Sequence, residues 1–345
     1  MRNLIIGDVH ATAEDLEDCE ALLGLVFDSA KSLSVDRIIF LGDLHHNHAV
    51  THVSVTEFWL RNLKRLGEVA RVSALLGNHD MPNGASRGDR GYGEPKSHAL
   101  MPYRELARVG VTVVDSPLIL GDFMYVPYVD SEEAFLSAIK ALKRETGCPD
   151  TLICHQTFSG AQYENGFYAK DGFSIEKVLA SNIISGHVHL PSHINKVWYP
   201  GAPRWKTFSD ANTERAIWLF DPETGELTPI DTGTVCSKIF HFKVENGVLD
   251  QSVFKIRQPG NHRYHIDLHG EAEVNAKTEE YILSLNSRVK IRRFDKAQNL
   301  IKLKESDGVD KAFETWLSSF KGKNGTPGSE IMSMVSKRIS ERISV

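Results

Sequence analysis

Leu4-Ile5-Ile6-Gly7-Asp8-Val9-His10 opens the chain with a short apolar run that leads into a glycine, a carboxylate and an imidazole. Four later segments repeat this design, with polar residues directly after a strand-like apolar run: Gly42-Asp43-Leu44-His45-His46-Asn47, Gly77-Asn78-His79-Asp80, Cys154-His155-Gln156 and Gly186-His187-Val188-His189. Loops at the carboxyl ends of such strands are where α/β sheets place their sites. We therefore interpret the five segments as one site assembled from distant parts of the sequence.

The first 200 or so residues alternate between apolar runs and helical stretches. The runs predict buried strands over 4–6, 38–41, 72–76, 112–114, 151–154 and 182–184, and helices are predicted over 13–32 and 55–70. Residues 216–222 followed by the turn 222–225 predict a hairpin, and the Gly-, Arg- and Ser-rich residues 81–97 predict a mobile loop beside the site. This alternation is typical of a layered α/β domain.

The donor atoms in the five segments are carboxylates, imidazoles and one amide. This mixture suits borderline-to-hard divalent ions such as manganese, iron or zinc. A carboxylate has two oxygens and can bridge a pair of ions, and such a pair can bind a phosphate and activate water. One polar turn of this kind is usually structural, but five in this order argue against coincidence.

Composition narrows the class of protein. Of 345 residues, 41% are hydrophobic and 25% are charged, as in ordinary folded domains. No apolar run reaches the length of a membrane helix, and the N-terminal run is too short for a signal peptide. The four cysteines form no C-x-x-C pair, which favours a reducing cytoplasm, bacterial or phage-infected. The net charge of -5 argues mildly against nucleic-acid binding, although bound metal ions would offset it locally.

The order D-x-H, G-D, G-N-H-D, H, G-H-x-H over about residues 1–190 resembles the calcineurin-like metallophosphoesterase superfamily. The resemblance implies a four-layer α/β fold, a two-sheet β-sandwich flanked by helices. It also implies that one metal ion is held by Asp8, His10, Asp43 and His189, and a second by Asp43, Asn78, His155 and His187, with Asp43 bridging. By the same resemblance His79 contacts the phosphate and protonates the leaving oxygen, while Asp80 orients the His79 ring.

A longer match points to one branch of that superfamily. Tyr199-Pro200-Gly201-Ala202-Pro203-Arg204-Trp205-Lys206-Thr207-Phe208-Ser209-Asp210 and the following strand resemble SbcD-type DNA repair nucleases and their phage counterparts. In that family a histidine three residues after the bridging aspartate approaches DNA, which is the position of His46. We also expect Arg204 to contact substrate. The arginine-containing motifs of protein Ser/Thr phosphatases are missing from the corresponding segments.

The same resemblance implies three parts: a nuclease domain over 1–236, a small α+β capping and DNA-contact domain over 237–305, and a helical tail over 306–345. In the tail, Phe313, Trp316, Leu317 and Phe320 form a helical apolar stripe, and a second stripe follows a breaker at 323–328. The resemblance implies that this helix-loop-helix binds the coiled coil of an SMC-type ATPase, SbcC-like; docking on its own domain is the alternative. The chain has no G-x-x-x-x-G-K-[ST] loop, so any ATP dependence comes from a partner.

These observations favour a metal-dependent DNA exonuclease and endonuclease of recombination, repair or replication, with two divalent ions that we expect to be Mn²⁺. The alternative is a small-molecule phosphodiesterase or nucleotide phosphatase with the same site, and a third reading is a scaffold without catalysis. Arg288, Lys290, Arg292 and Arg293 are candidates for phosphate contact, although residues 288–292 also alternate as an ordinary half-exposed strand. The sequence leaves cleavage polarity and homodimerisation open.

Overall fold

The computed structural model describes residues 2–48, 50–82, 97–249, 262–285 and 289–296. In chain order the strands and α-helices are β1 (Asn3–Ile6), α1 (Leu16–Ser32), β2 (Arg37–Phe40), α2 (Val53–Gly67), β3 (Arg71–Leu75), β4 (Val111–Val114), β5 (Leu118–Leu120), β6 (Phe123–Val126), α3 (Glu132–Leu142), β7 (Thr151–His155), β8 (Asn182–Gly186), β9 (Ser192–Ile194), β10 (Val197–Tyr199), β11 (Ala216–Asp221), β12 (Glu226–Asp231), β13 (Ile239–Glu245), β14 (Arg263–Gly270), α4 (Ala272–Leu285) and β15 (Val289–Asp295). A 3₁₀ helix, Met101–Val109, precedes β4. The described residues divide into two compact units, 2–241 with 262–265 and 242–249 with 266–285 and 289–296.

Two six-stranded sheets form the first unit. One has the order β12-β11-β1-β2-β3-β4, and the other has the order β5-β6-β7-β8-β10-β9. In the first sheet β1 to β4 are parallel and β11 and β12 are antiparallel additions. In the second sheet β6, β7, β8 and β10 are parallel, with β5 and β9 antiparallel at the two edges. In each sheet, the carboxyl ends of the parallel strands therefore lie together at one end of the strands.

The alternation of side chains along the strands explains the layers. Leu4 and Ile6 of β1 belong to the apolar cluster that includes residues of α1 and α2, while Ile5 belongs to a cluster shared by strands of both sheets. Successive side chains of a strand point to opposite faces, so a strand covered on both faces reads as a continuous apolar run. A third cluster joins α3 to the second sheet. The order of layers is helices, sheet, sheet, helix, as the four-layer α/β prediction requires.

The second unit consists of α4 and the parts of the three-stranded sheet β13-β14-β15 that follow the unit boundary. Asn275 of α4 is buried and donates to the carbonyl oxygens of Leu268 (3.5 Å) and Gly270 (3.3 Å) and to Asp295 Oδ1 (2.7 Å). One amide thus connects the helix to two strands. Arg292 binds both carboxylate oxygens of Asp267 at 2.8 Å.

Most predicted elements are confirmed, including the six parallel-type strands, both long helices and the hairpin of β11 and β12. Most of the predicted loop over 81–97 and the whole helical tail over 306–345 lie outside the described residues. The domain bounds at 236 and 305 remain predictions. Arg292 and Arg293 are ion-paired within their own unit. Within the described ranges, none of the helices is apolar over enough of its length to cross a membrane.

Candidate metal centre

The loops after β1, β2, β3 and β8 and the end of β7 carry all seven predicted metal ligands. Parallel strands direct these loops to one end of the sandwich, so residues up to 179 positions apart become neighbours. His10, Asp43 and His187 have φ angles of 51°, 50° and 76°. Left-handed backbone is costly for residues with a Cβ and persists where the surrounding structure demands it. The surrounding structure therefore holds the backbone of these loops in a conformation that places the three side chains in the site.

Asp8, His10 and His189 form the first donor cluster, with one ligand atom of each within 4.8 Å of the others. Nε2 of His10 lies 3.0 Å from Nε2 of His189, and His189 Nε2 lies 3.6 Å from Asp8 Oδ2. His10 Nε2 is 3.5 Å from Asp43 Oδ2. These four residues are the predicted ligands of the first ion.

Asp43, His155 and His187 form the second donor cluster. Asn78 Oδ1 lies 3.0 Å from His155 Nε2 and 2.7 Å from His187 Nδ1. Asp43 Oδ2 is 3.4 Å from His155 Nε2, nearly the same as its distance from His10 in the first cluster. One carboxylate oxygen therefore faces both clusters, which is the position that a bridging ligand requires.

The chemistry of these donors fits bound cations. His155 Nδ1 lies 2.7 Å from the carbonyl oxygen of Leu41, so it carries the proton, and in the neutral ring Nε2 is a lone-pair donor facing the oxygens of Asn78 and Asp43. Such a contact needs a cation between the atoms. Burial lowers the pKa of His155, but the charges of Asp43 and Asp8 outweigh burial and raise the pKa to about 9. A proton on Nε2 can therefore serve as the cation between Nε2 and these oxygens. Oδ1 of Asp8 is buried without a hydrogen-bond partner.

Two histidines are held neutral, the form that binds metal. Burial lowers the pKa of His10 well below its ordinary value and lowers that of His187 to about 3. Burial raises the pKa of Asp8 to about 6, opposed by His155 and reinforced by Asp43. With two buried carboxylates, neutral imidazoles and an amide oxygen, the site suits two divalent ions.

His79 lies beside both clusters, and its backbone N–H donates to Asp43 Oδ1 at 2.8 Å. Its ring Nδ1 donates to the carbonyl oxygen of His46 at 2.6 Å. The prediction that Asp80 orients this ring is therefore wrong. Asp80 is buried, and its carboxylate accepts the N–H groups of His45 (3.0 Å) and Gly77 (3.1 Å). Asp80 connects the loops after β2 and β3, because both present N–H groups to one carboxylate.

His46 lies where the sequence predicted a substrate-contacting histidine, exposed at the rim of the site. Its ring stacks on His79, with centroids 5.5 Å apart and planes 12° apart, and meets His10 edge-on at 5.3 Å. The His48 ring also contacts His79, with ring centroids 4.0 Å apart. The contact of His46 with substrate remains a prediction.

Arg204 does not reach the substrate side, contrary to the prediction. It is only 2% exposed, and it binds Asp18 Oδ2 at 3.0 Å, Asp15 Oδ2 at 3.1 Å and the carbonyl oxygen of Val9 at 2.8 Å. The neighbouring Lys206 donates to the carbonyl oxygen of His10. Both cations therefore hold the loop that carries the first metal-binding motif.

Sequence reasoning missed two residues that contact predicted ligands. Glu164 Oε1 lies 3.3 Å from His189 Nδ1, an ion-pair distance without hydrogen-bond geometry, and a carboxylate in this position can set the tautomer and direction of a metal-binding histidine. Tyr128 packs 5.5 Å from the His187 ring. Neither residue lies in a recognisable motif. Their positions depend on folding of the 159–173 segment and of the loop after β6.

Comparisons with known proteins identify the family. A search of curated proteins found no match. Among solved structures, a nuclease MPE from Pseudomonas putida is 16% identical to this chain and superposes with a TM-score of 0.28; the match covers 66% of this chain and 87% of the nuclease. The family model for calcineurin-like phosphoesterases, hydrolases that use divalent metal ions, matches residues 1–191. That match spans more than half of the 345 residues, and the chain belongs to the calcineurin-like phosphoesterases.

Proposed function

We propose that this chain is a two-metal DNA nuclease that hydrolyses phosphodiester bonds. The observation that carries the proposal is the pair of donor clusters, both faced by one oxygen of Asp43, with His79 beside them. The site opens to solvent at its rim, where His46 is exposed and the His189 side chain is 35% exposed, which gives a polymeric substrate access. The stretch 199–210, with its resemblance to SbcD-type nucleases, favours DNA over a small phosphodiester.

In the proposed reaction, one ion would be held by Asp8, His10, Asp43 and His189. The other would be held by Asp43, Asn78, His155 and His187. The ions supply Lewis-acid activation of the phosphate and of water. Glu164 lies at an ion-pair distance of 3.3 Å from the His189 ring, and the Leu41 carbonyl accepts a hydrogen bond from the His155 ring. Fixing the ligands in advance removes a reorganisation cost from the reaction.

His79 is the candidate general acid. Because its Nδ1 proton is donated to the His46 carbonyl, Nε2 is the ring nitrogen that takes up and delivers the catalytic proton. Burial lowers the pKa of His79, opposed by the Asp43 charge and by the His46 carbonyl. A lowered pKa makes the protonated ring a stronger acid toward the departing oxygen.

Further parts of the proposal rest on the sequence. The mixed carboxylate, imidazole and amide donors suit Mn²⁺ among divalent ions. The SMC-type ATPase partner, expected to bind through residues 306–345, is proposed from the resemblance alone, since that segment lies outside the described residues.

The test is digestion of end-labelled linear double-stranded and single-stranded DNA with Mn²⁺. We expect the wild type to degrade DNA, and His79→Ala to be slower by about 10²–10⁴-fold, the usual contribution of a general acid or base. His193→Ala is the matched control, because this exposed histidine stacks on Trp198 at the edge of the second sheet.

Two outcomes would contradict the proposal. Intact DNA beside rapid hydrolysis of bis-p-nitrophenyl phosphate would favour a small-molecule phosphodiesterase, provided that the ATPase partner does not restore DNA cleavage. No hydrolysis of either substrate at saturating Mn²⁺ would favour a non-catalytic scaffold.

A further inference from the structure

A cleft of about 470 Å³ opens beside the metal centre. Its walls include Tyr128, Tyr163, Tyr168 and Phe173, and His187 of the second donor cluster also lines it. The Tyr128 ring lies 5.5 Å from the His187 ring at an angle of 33°. A group bound in this cleft would therefore be next to the position proposed for the scissile phosphate.

Backbone hydrogen bonds within residues 157–173 preform one wall of the cleft. Ser159 N–H donates to the Phe173 carbonyl at 3.0 Å, and Phe173 N–H donates back to the Thr157 carbonyl at 2.9 Å. An added Cβ at Gly172 would be 2.3 Å from the Phe158 carbonyl carbon, so the backbone at Gly172 and the backbone at Phe158 approach closely. The aromatic side chains are thus carried on ordered backbone.

Two of the aromatic side chains on this segment are largely exposed. Tyr168 is 60% exposed and Phe167 is 72% exposed. Of the two, Tyr168 lines the cleft. A ring exposed on the wall of a cleft beside a reactive centre is of the kind that binds ligands. Each ring offers a flat face on which a planar group can stack.

Polar groups accompany these rings. Thr157 Oγ1 is buried without a hydrogen-bond partner, although Thr157 lines the cleft. Gln156 also lines it, and its side-chain N–H donates to the Val129 carbonyl at 3.0 Å, which fixes the direction of the amide. Flat aromatic faces with an unused hydrogen-bonding group suit a planar heteroaromatic ligand better than an aliphatic one.

We propose that this cleft binds an unpaired nucleobase of the nucleotide adjoining the scissile phosphate, with Tyr168 as a stacking residue. The inference rests on the proposed function, and it deepens it by assigning a base subsite. Because a base in the duplex is covered by its neighbours, the strand must be locally unpaired to enter the cleft. The proposal therefore predicts a preference for single-stranded or frayed ends over intact duplex.

The experiment compares two single-stranded substrates of equal length with Mn²⁺: oligothymidylate and an oligomer of abasic tetrahydrofuran nucleotides. We expect the wild type to cleave oligothymidylate with the higher kcat/KM. Tyr168→Ala should lower kcat/KM on oligothymidylate by about 5- to 150-fold, the range that corresponds to base–aromatic stacking. On the abasic oligomer it should match the wild type, which also shows that the variant is folded. Tyr168→Phe keeps the ring and should retain the preference.

Three results would overturn the inference, and they are distinguishable. Equal cleavage of both oligomers by the wild type would exclude a base subsite while leaving the nuclease function in place. A loss in Tyr168→Ala of the same size on both oligomers would assign the tyrosine a role unrelated to the base. Failure of the wild type to cleave either oligomer, beside hydrolysis of small phosphodiesters, would remove the proposed nuclease function itself.

Discussion

Replacing Arg204 tests whether this residue supports the first metal-binding loop or contacts the substrate. If it holds the first metal-binding loop, Arg204→Met leaves Asp18 without its cation, leaves Asp15 with Lys206 alone at 3.3 Å, and leaves the Val9 carbonyl without its donor. Breaking a buried ion pair costs about 3–5 kcal/mol. The side chains of Asp15 and Asp18 are 25% and 16% exposed, so water compensates in part, and we take about 3 kcal/mol.

For a unit of this size, 1 kcal/mol corresponds to about 2–4 °C in Tm, so we expect Tm to fall by about 6–12 °C. The assay is thermal unfolding followed by fluorescence without added metal. Arg61→Met is the matched control: this arginine pairs with Glu20 but its side chain is 60% exposed, and such surface pairs contribute at most about 1 kcal/mol.

DNA binding supplies the second readout. Loss of a phosphate contact reduces the salt dependence of binding, whereas loss of a loop support leaves it unchanged. We expect Arg204→Met to keep the wild-type salt dependence. An unchanged Tm together with weaker binding and a smaller salt dependence would refute the structural role and restore the substrate contact predicted from sequence.

Three further predictions address other parts of the site. Burial raises the pKa of Asp15, but its cationic partners and a backbone N–H outweigh burial and lower the pKa from 3.8 to about 2. The ionised carboxylate therefore stabilises the fold above about pH 4, and this stability is lost as the pH falls toward 2. Tm should fall less steeply with pH in Asp15→Asn than in the wild type between pH 4 and 2, and equal slopes would contradict the assignment. Glu164→Ala should weaken Mn²⁺ binding by about 10–100-fold in calorimetry because the His189 ring loses its support, and unchanged affinity would show that the contact is dispensable. Gly77→Ala should abolish activity, because its Cβ would lie 2.2 Å from Asp43 Oδ1, whereas Gly24→Ala in α1, with open space around it, should stabilise the protein by about 1 kcal/mol; an active Gly77→Ala enzyme would refute the packing argument.

The five segments that contain the seven predicted ligands were recognisable in the sequence for a local reason, although the ligands themselves were named from the family resemblance. Each follows an apolar run that forms a parallel strand, and a strand buried on both faces leaves a plain apolar signal. Asp43 illustrates this, since its place after β2 is enough to put it at the end of the sheet with Asp8 after β1. That a single oxygen of Asp43 faces both clusters depends on the packing of two sheets.

The sequence by itself determined the layered α/β fold, because strand periodicity is a local property of the chain, and its resemblance to calcineurin-like metallophosphoesterases supplied the predicted donor residues. Only the tertiary structure decided the tasks of Asp80, Arg204 and Glu164. The partner of a charged side chain is whichever group packing brings to it, and Arg204 reaches Asp18 across 186 positions. Burial then decides whether a charge meets solvent or a neighbouring loop, which is why an arginine predicted to contact substrate supports the backbone beneath the metal centre.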